Sequence, residues 1–72
     1  MRLSYHPDTD SLYIHLVERS GTEAHEVASG IVVDFDADGK PVGIDIEHAQ
    51  KILDLTTLDA ESLPVKVRMA TK

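Results

Sequence analysis

The sequence contains no cysteine, which excludes disulfide bonds and thiolate-ligated zinc. It also lacks tryptophan and has only two tyrosines and one phenylalanine, so its core must consist mainly of valine, isoleucine and leucine. A domain of 72 residues buries only about 60% of the surface that its unfolded chain exposes, which leaves it marginally stable. A partner chain, an oxygen-ligated metal and unusually good packing remain as sources of further stability. Of these we favour a partner chain, and we expect a single domain, residues 1–72, that forms a homodimer.

Positive charge and long apolar runs are also scarce. Seven basic residues stand against thirteen acidic ones, which gives a net charge of −6. An acidic surface repels phosphate backbones and argues against nucleic-acid binding by this chain alone. The uninterrupted apolar runs are only a few residues long, so the sequence predicts neither a membrane span nor a signal peptide. We expect a cytoplasmic protein.

The beginning of the chain has the period-two alternation of a β-hairpin. Leu3 and Tyr5 precede the turn residues HPDTDS, and Leu12, Ile14 and Leu16 follow them on alternate positions. Pairing Leu3 with Ile14 and Tyr5 with Leu12 places these apolar side chains on one face. The next segment, TEAHEVA, alternates weakly and is typical of an exposed edge strand.

A second hairpin is predicted from IVVDFD and PVGIDI, which flank Asp38 and Gly39. An Asp-Gly pair is a preferred two-residue connection of type I′. Centring the turn on this pair matches apolar residues across the two strands and gives the pairs Ala37–Lys40, Phe35–Val42, Val33–Ile44 and Ile31–Ile46. In this register Val42, Ile44 and Ile46 share a face.

After His48 the apolar period changes from two to that of a helix. Ala49, Ile52 and Leu53 have the spacing of a short amphipathic helix that covers the sheet. Together these elements predict an α+β fold, an antiparallel β-meander of about four to six short strands with a short helix in the C-terminal half packed on one face.

Residues 53–70 predict two further elements. Asp59 is a candidate N-cap and Pro64 a candidate stop for one helical turn. A last strand follows, in which two cations separate the apolar residues in the order Val65, Lys66, Val67, Arg68 and Met69. Outward cations suit an edge strand that must resist unwanted pairing. The sequence leaves open whether this strand pairs within its own chain or with another chain.

The stretch DFDADGKPVGID, residues 34–45, approaches the calcium-loop pattern of an EF-hand. An EF-hand loop lies between two helices, whereas both flanks here alternate like strands. Pro41 and the aspartate at Asp45, in place of a bidentate glutamate, weaken the match further. Hairpin alternation alone places Asp34, Asp36 and Asp45 on the outward face. We interpret the stretch as a hairpin and keep a divalent-cation site at these three aspartates as the alternative.

Other catalytic patterns are missing from the sequence. The histidines lack HExxH-like spacing, the serines lack a G-x-S-x-G elbow, and the glycines form no phosphate-binding loop. Asp8 and Asp10 fit turn residues better than a paired-carboxylate acid and base. The sequence therefore predicts no catalytic residue and no cofactor.

Two stretches resemble the small prokaryotic family called domain of unknown function 2283 (DUF2283). SYHPDTDSLYIHL is similar to the family's Y-D-P-x-x-D-x-L-Y-I-x-L, and EVASGIVVDFDADGKPVGIDIEHAQK is similar to its E-x-x-x-G-x-x-x-D-x-D-x-x-G-x-x-x-G-I-E-I-x-x-A-S. The matching positions are Tyr5, Pro7, Asp10, Leu12, Tyr13, Ile14, Glu26, Gly30, Asp34, Asp36, Gly39, Gly43, Ile44, Ile46 and Ala49. His6, Asp45 and Gln50 depart from the pattern.

The resemblance covers a family-like core of residues 3–52. It implies a compact β-meander with a helix, and it implies no known activity, catalytic residue or cofactor. The leading hypothesis is a non-enzymatic protein-interaction or homodimeric assembly module. One alternative is a small hydrolase or ligand-binding protein that uses a divalent cation on Asp34, Asp36 and Asp45. Another is an acidic, antitoxin-like partner of a basic RNA-cleaving protein.

Overall fold

The computed structural model of the protein describes residues 1–70, so residues 71 and 72 of the expected domain lie outside the described part. Its elements in chain order are β1 (Arg2–His6), β2 (Ser11–His15), β3 (Glu23–Ala28), β4 (Ile31–Phe35), β5 (Pro41–Ile46) and α1 (Ala49–Ile52). The strands form one antiparallel sheet of five, in the order β1-β2-β5-β4-β3. The predicted α+β fold is confirmed, with the difference from a simple meander that β5 lies beside β2.

The register of the first hairpin is confirmed. Leu3 lies opposite Ile14 and Tyr5 lies opposite Leu12, as the alternation predicts. These four side chains therefore point to the same side of the sheet, which we call the inner face. A slip by one residue would turn all of them to the other side, so the apolar pattern is enough to fix this pairing.

The second hairpin has the predicted register in its strands but a different turn. Ile31 lies opposite Ile46 and Val33 lies opposite Ile44. At the turn, the Gly39 amide donates to the Asp36 carbonyl at 3.0 Å and the Asp36 amide donates to the Lys40 carbonyl at 2.8 Å.

Only the third loop residue, Gly39, has a positive φ, of 79°. The connection is therefore a three-residue loop, Ala37 to Gly39, in which glycine adopts the left-handed conformation. The predicted type I′ turn and the Ala37–Lys40 pair are wrong.

The longer loop shifts the end of the ladder by one residue. Phe35 lies opposite Pro41, so the predicted pair of Phe35 with Val42 is wrong. Val42 is buried but is not part of the cluster that surrounds Ile46. A Cβ added to Gly21 would lie 3.5 Å from Val42 Cγ2, which places Val42 against the connection between β2 and β3. The expectation that Val42 shares a face with Ile44 is therefore wrong, because the register shift takes it out of the alternation.

The core lies between the inner face and α1. Leu12, Ile46 and Ala49 are buried, and the half-buried residues packed against them are Tyr5, Ile14, Ile31, Ile44 and Leu53. The predicted short helix is confirmed, with Ala49 fully buried and Leu53 packed on the core, but Ile52, predicted to share this face, is exposed. This helix has only four residues, and no helix within residues 1–70 is long and apolar enough to cross a membrane.

Residues 53–70 contain neither of the two elements predicted for them. The helical turn between Asp59 and Pro64 is absent, as is the strand of Val65 to Met69. A single turn of helix is costly to nucleate and needs a packing surface, and a strand needs a neighbour that accepts its hydrogen bonds. Local sequence alone predicts these elements, but this part of the chain has no neighbouring strand to pair with in the structure.

Substitution of the two left-handed glycines by alanine tests the turn geometry. Gly30 and Gly39 both have φ of 79°, but a Cβ at Gly39 would meet nothing within 4 Å. At Gly30 the same atom would lie 3.3 Å from the Glu47 carbonyl oxygen and 3.3 Å from Ile52 Cδ1. We expect Gly39→Ala to cost about 1 kcal/mol of unfolding free energy from backbone strain alone, and Gly30→Ala to cost more.

Urea unfolding at one protein concentration measures both losses. Gly39→Asn serves as the control, because asparagine tolerates the left-handed region, and it should cost less than Gly39→Ala. Equal costs at Gly30 and Gly39 would contradict the packing that the structure gives to Gly30.

Candidate functional site

The face of the sheet opposite the helix, which we call the outer face, carries a polar cluster. The register places Tyr13 opposite Asp45, Asp34 opposite Gly43, and Glu26 opposite Val32. The positions of Asp34 and Asp45 on this face agree with the sequence prediction. The outer face therefore combines one tyrosine with acidic side chains from three strands.

Tyr13 lies flat across its neighbouring strand. Its hydroxyl donates to Asp34 Oδ2 at 2.7 Å, and a Cβ added to Gly43 would overlap the Tyr13 hydroxyl and ring. The ring of His15 packs edge-on against it, with the centroids 4.5 Å apart. The hydrogen bond to Asp34, followed by burial, raises the pKa of Tyr13 to about 12. At neutral pH the phenol is thus a proton donor committed to Asp34, which does not suit it to act as a base or a nucleophile.

A second tyrosine–aspartate pair, Tyr5 and Asp10, lies on the inner face beside the β1–β2 turn. The Tyr5 hydroxyl donates to Asp10 Oδ1 at 2.8 Å, and Gln50 Nε2 donates to the Tyr5 hydroxyl at 3.1 Å. The hydrogen bond to Asp10, followed by burial, raises the pKa of Tyr5 above its ordinary value.

The main chain of α1 is fastened to the same aspartate. The Gln50 amide donates to the Asp10 carboxylate at 3.2 Å, and the Ala49 amide donates to the Asp10 carbonyl at 2.9 Å. Asp10 therefore holds the first helical turn against the β1–β2 turn. Asp10 lies in the β1–β2 turn, as predicted, but its carboxylate binds Tyr5 and the helix and not the backbone of the turn itself.

The alternation predicts that Asp36 lies on the outward strand face. This prediction is wrong, because the three-residue loop places Asp36 in the turn. Its Oδ1 accepts the amides of Asp38 at 2.9 Å and Lys40 at 3.0 Å, and its Oδ2 accepts Arg19 Nη1 at 3.0 Å. The side chain is only 8% exposed. The Lys40 amide, with smaller contributions from Asp38 and Arg19, holds the pKa of Asp36 below its usual range. Asp36 closes the turn and anchors Arg19.

The three aspartates proposed as a cation site are therefore distributed over two places. Asp34 and Asp45 belong to the outer face, whereas both oxygens of Asp36 are engaged inside the turn. Within residues 1–70 there is no group of three or more histidine, cysteine, aspartate or glutamate side chains placed to hold a metal ion. The arrangement offers at most two carboxylates from the predicted set on one face, fewer than the oxygen ligands that calcium takes.

No local sequence pattern marks Tyr13, Gly43 and Arg19 as neighbours of the aspartates. Gly43 is the diagonal neighbour of Tyr13, a position that an aromatic ring reaches easily on a neighbouring strand. Recognising this requires the pairing of β2 with β5, which no local pattern reveals. Among the polar positions of the family-like motifs, Tyr5, Asp10, Tyr13, Asp34 and Asp36 all form side-chain hydrogen bonds.

Glu26 differs from those motif positions. It is exposed on β3, and it takes part in none of the side-chain hydrogen bonds found among residues 1–70. Glu26 therefore lacks the architectural role that explains the other acidic residues of the motifs. It is the motif residue best placed to meet another molecule.

Residues 2–50, more than half of the chain, match the family model described as "Protein of unknown function (DUF2283)". The chain therefore belongs to the DUF2283 family. No curated protein and no solved structure gives a significant match.

Alkaline titration tests the Tyr13–Asp34 hydrogen bond. The folded protein deprotonates Tyr13 at about pH 12, whereas an unperturbed phenol has a pKa of 10.0. The unfolded chain gives up this proton first, so the stabilisation is complete below about pH 10 and is lost as the pH rises through about 12. In phenolate absorbance, we expect Tyr13→Phe to remove the transition near pH 12 and Tyr5→Phe to leave it. The same transition in both variants would contradict the assignment.

A thermal-shift titration tests the cation hypothesis. Binding to the folded state raises Tm, so a specific site would respond to millimolar calcium, magnesium or manganese. Because Asp36 is engaged by Arg19 and the turn, we expect the same small shift for the parent protein, Asp34→Asn and Asp45→Asn at constant ionic strength. A shift in the parent that either variant abolishes would contradict this and establish a site on the outer face.

Proposed function

We propose that this DUF2283 protein is a non-enzymatic assembly module that works as a homodimer. The observation that carries the proposal is the imbalance between buried and exposed apolar side chains. Within residues 1–70, the buried hydrophobic residues are only Leu12, Val42, Ile46 and Ala49. The large exposed ones are more numerous and include Leu3, Val27, Ile52, Leu55, Leu58, Leu63, Val65, Val67 and Met69.

Part of this exposed surface forms one open groove on the inner face. It has a volume of about 420 Å³ and lies between the first hairpin and residues 53–58, with Leu3, Leu12, Ile14, Leu53 and Leu58 among its lining residues. Burying apolar surface is worth about 25 cal/mol per Å², so a second copy that covers such side chains adds stability that this small core lacks. The small number of buried apolar side chains is therefore the reason that we expect a second copy to bind.

The use of the polar groups supports a structural role over a catalytic one. Tyr13 is committed to Asp34, Tyr5 to Asp10, and Asp36 to its own turn. Each of these pairs fixes a turn or joins two elements of the fold. The divalent-cation hydrolase is supported only by the acidity of the outer face, so we do not propose it.

A second candidate, an acidic partner of a basic protein, is favoured by one observation. Glu26 is exposed on the outer face, which also carries Asp34 and Asp45, and the whole chain has a net charge of −6. Such a surface steers a basic partner toward it. This candidate requires a small basic protein encoded next to this one, and a genomic neighbourhood without such a reading frame would argue against it.

Sedimentation velocity of the purified protein tests the homodimer. We expect a species of twice the 7.9 kDa chain mass at micromolar concentration, and a Tm that rises with protein concentration because association stabilises the folded state. A species of 7.9 kDa whose Tm does not depend on concentration would contradict the proposal.

A further inference from the structure

The strand β3 forms an edge of the sheet that is open for pairing. It is last in the strand order, so within residues 1–70 only its β4 side has a strand neighbour. All six of its residues are exposed. An exposed edge of this length presents unpaired main-chain groups and is a template for an added strand.

The C-terminal segment, residues 65–69, has the sequence of a strand but no strand neighbour. Apolar and cationic residues alternate along it, and Val65 and Val67 are 66% and 63% exposed. In a strand, Val65 and Val67 would point to the same side and could be buried against a sheet. Lys66 and Arg68 would then point to the other side. The segment is therefore suited to complete a sheet edge.

The two surfaces have opposite charge on the matching face. Glu26 lies on the outer face of β3, and Asp34 and Asp45 lie beyond it on β4 and β5. If Lys66 and Arg68 point to this face, they approach Glu26 on the adjacent strand, where opposite charges attract, while Asp34 lies one strand further away.

The same register suits the inner face. It brings Val65, Val67 and Met69 beside His25 and the half-buried Phe35, whose rings are in contact with centroids 5.5 Å apart. A slip by one residue would place the valines beside Glu26 and the cations beside Glu23 and His25. Both faces of β3 offer a carboxylate, so the apolar contact of the valines with the His25 and Phe35 rings is what favours the proposed register.

The other edge of the sheet does not offer this match. Strand β1 begins with Arg2, which already pairs with Glu18 at 3.7 Å and contacts His15. The strand also ends with His6 and contains no acidic residue. Cations on an added strand would meet Arg2 there, and β1 itself offers them no carboxylate. The charge pattern therefore selects β3.

The chain cannot easily bring its own C-terminal segment to its own β3. Residues 53–58 run along Leu3, Leu12 and Ile14, on the β1–β2 side of the sheet. With strands about 4.8 Å apart, β1 and β3 are separated by about 19 Å. Residues 59–64 span about 20 Å only if fully extended, and Ser62 has a left-handed φ of 55°. A second copy has no such restriction.

We propose that residues 65–69 of each copy add to β3 of the other copy as a sixth strand, with Lys66 and Arg68 on the side of Glu26. This inference rests on the homodimer proposed above and specifies its interface. Two-fold symmetry then forms the contact twice, so both sheets are extended and both C-terminal segments are covered.

Charge reversal in the full chain tests the register. We expect Lys66→Glu with Arg68→Glu to weaken dimerisation about tenfold in sedimentation equilibrium, since the reversed contacts occur twice. Glu26→Lys should weaken it as well, and combining it with the reversed C-terminal segment should recover part of the loss. Lys51→Glu, on α1, is the matched control and should leave dimerisation unchanged. Reversals that act no more strongly than Lys51→Glu would overturn the inference.

Cross-linking distinguishes exchange between copies from pairing within one chain. The sequence has no cysteine, so Glu26→Cys combined with Arg68→Cys introduces only the two thiols of interest. After mild oxidation we expect a disulfide-linked dimer, whereas Glu26→Cys with Glu61→Cys, the control, should link much less. An internal disulfide within the monomer would overturn the exchange.

The failure of this inference is distinguishable from the failure of the proposed function. A parent dimer that tolerates the reversals and does not cross-link would leave the homodimer in place and remove only this interface. A parent protein that sediments as a monomer would remove both.

Discussion

The pairing of β2 with β5 is the constraint on which the rest of the structure depends. The sheet consists of the β1–β2 hairpin and the β3–β4–β5 meander, and only this ladder joins them. On the inner face it brings Leu12 against Ile46, the centre of the core. On the outer face it brings Tyr13 across Gly43 to the Asp34 carboxylate, so one hydrogen bond spans three strands. A Cβ at Gly43 would overlap the Tyr13 hydroxyl and ring, so it would displace Tyr13 from Asp34.

The acidic residues that draw attention in the sequence have structural roles at this joint and at the turns. Asp34 receives the Tyr13 phenol, Asp10 holds the start of α1, and Asp36 closes the loop before β5. A carboxylate with several lone pairs satisfies main-chain amides that a tight turn leaves without partners. In a chain without disulfides, such contacts fix the geometry of the connections between strands. The abundance of aspartate therefore reflects the many turns of a small β protein.

The sequence predicts the local pairings well because alternation and turn chemistry act between neighbours in the chain. The register of Leu3 with Ile14 and of Ile31 with Ile46 follows from them. The predicted length of the Asp38-Gly39 turn is wrong because an Asp-Gly pair fits both a two-residue and a three-residue loop. The extra loop residue shifts the register and displaces Val42.

The candidate site needed information that local patterns do not contain. Tyr13 and Asp34 are 21 positions apart and meet only because β2 lies beside β5. Likewise, the alternation of residues 65–69 indicates that the segment can form a strand but does not indicate the strand with which it pairs. An alternating pattern indicates that a segment forms a strand. The strand with which it pairs is determined by tertiary or quaternary structure.

The thin core and the exposed C-terminal segment have one physical cause. A sheet of five strands with a four-residue helix on one face has too little second layer to cover its apolar side chains. Lengthening the helix would solve this within one chain, whereas a segment that pairs with another copy solves it between chains. In the proposed dimer, stability would depend on concentration, and Glu26 would lie at the rim of the interface on the acidic outer face. Assembly and the exposure of that face would then be coupled, because the added strand would place Lys66 and Arg68 beside Glu26.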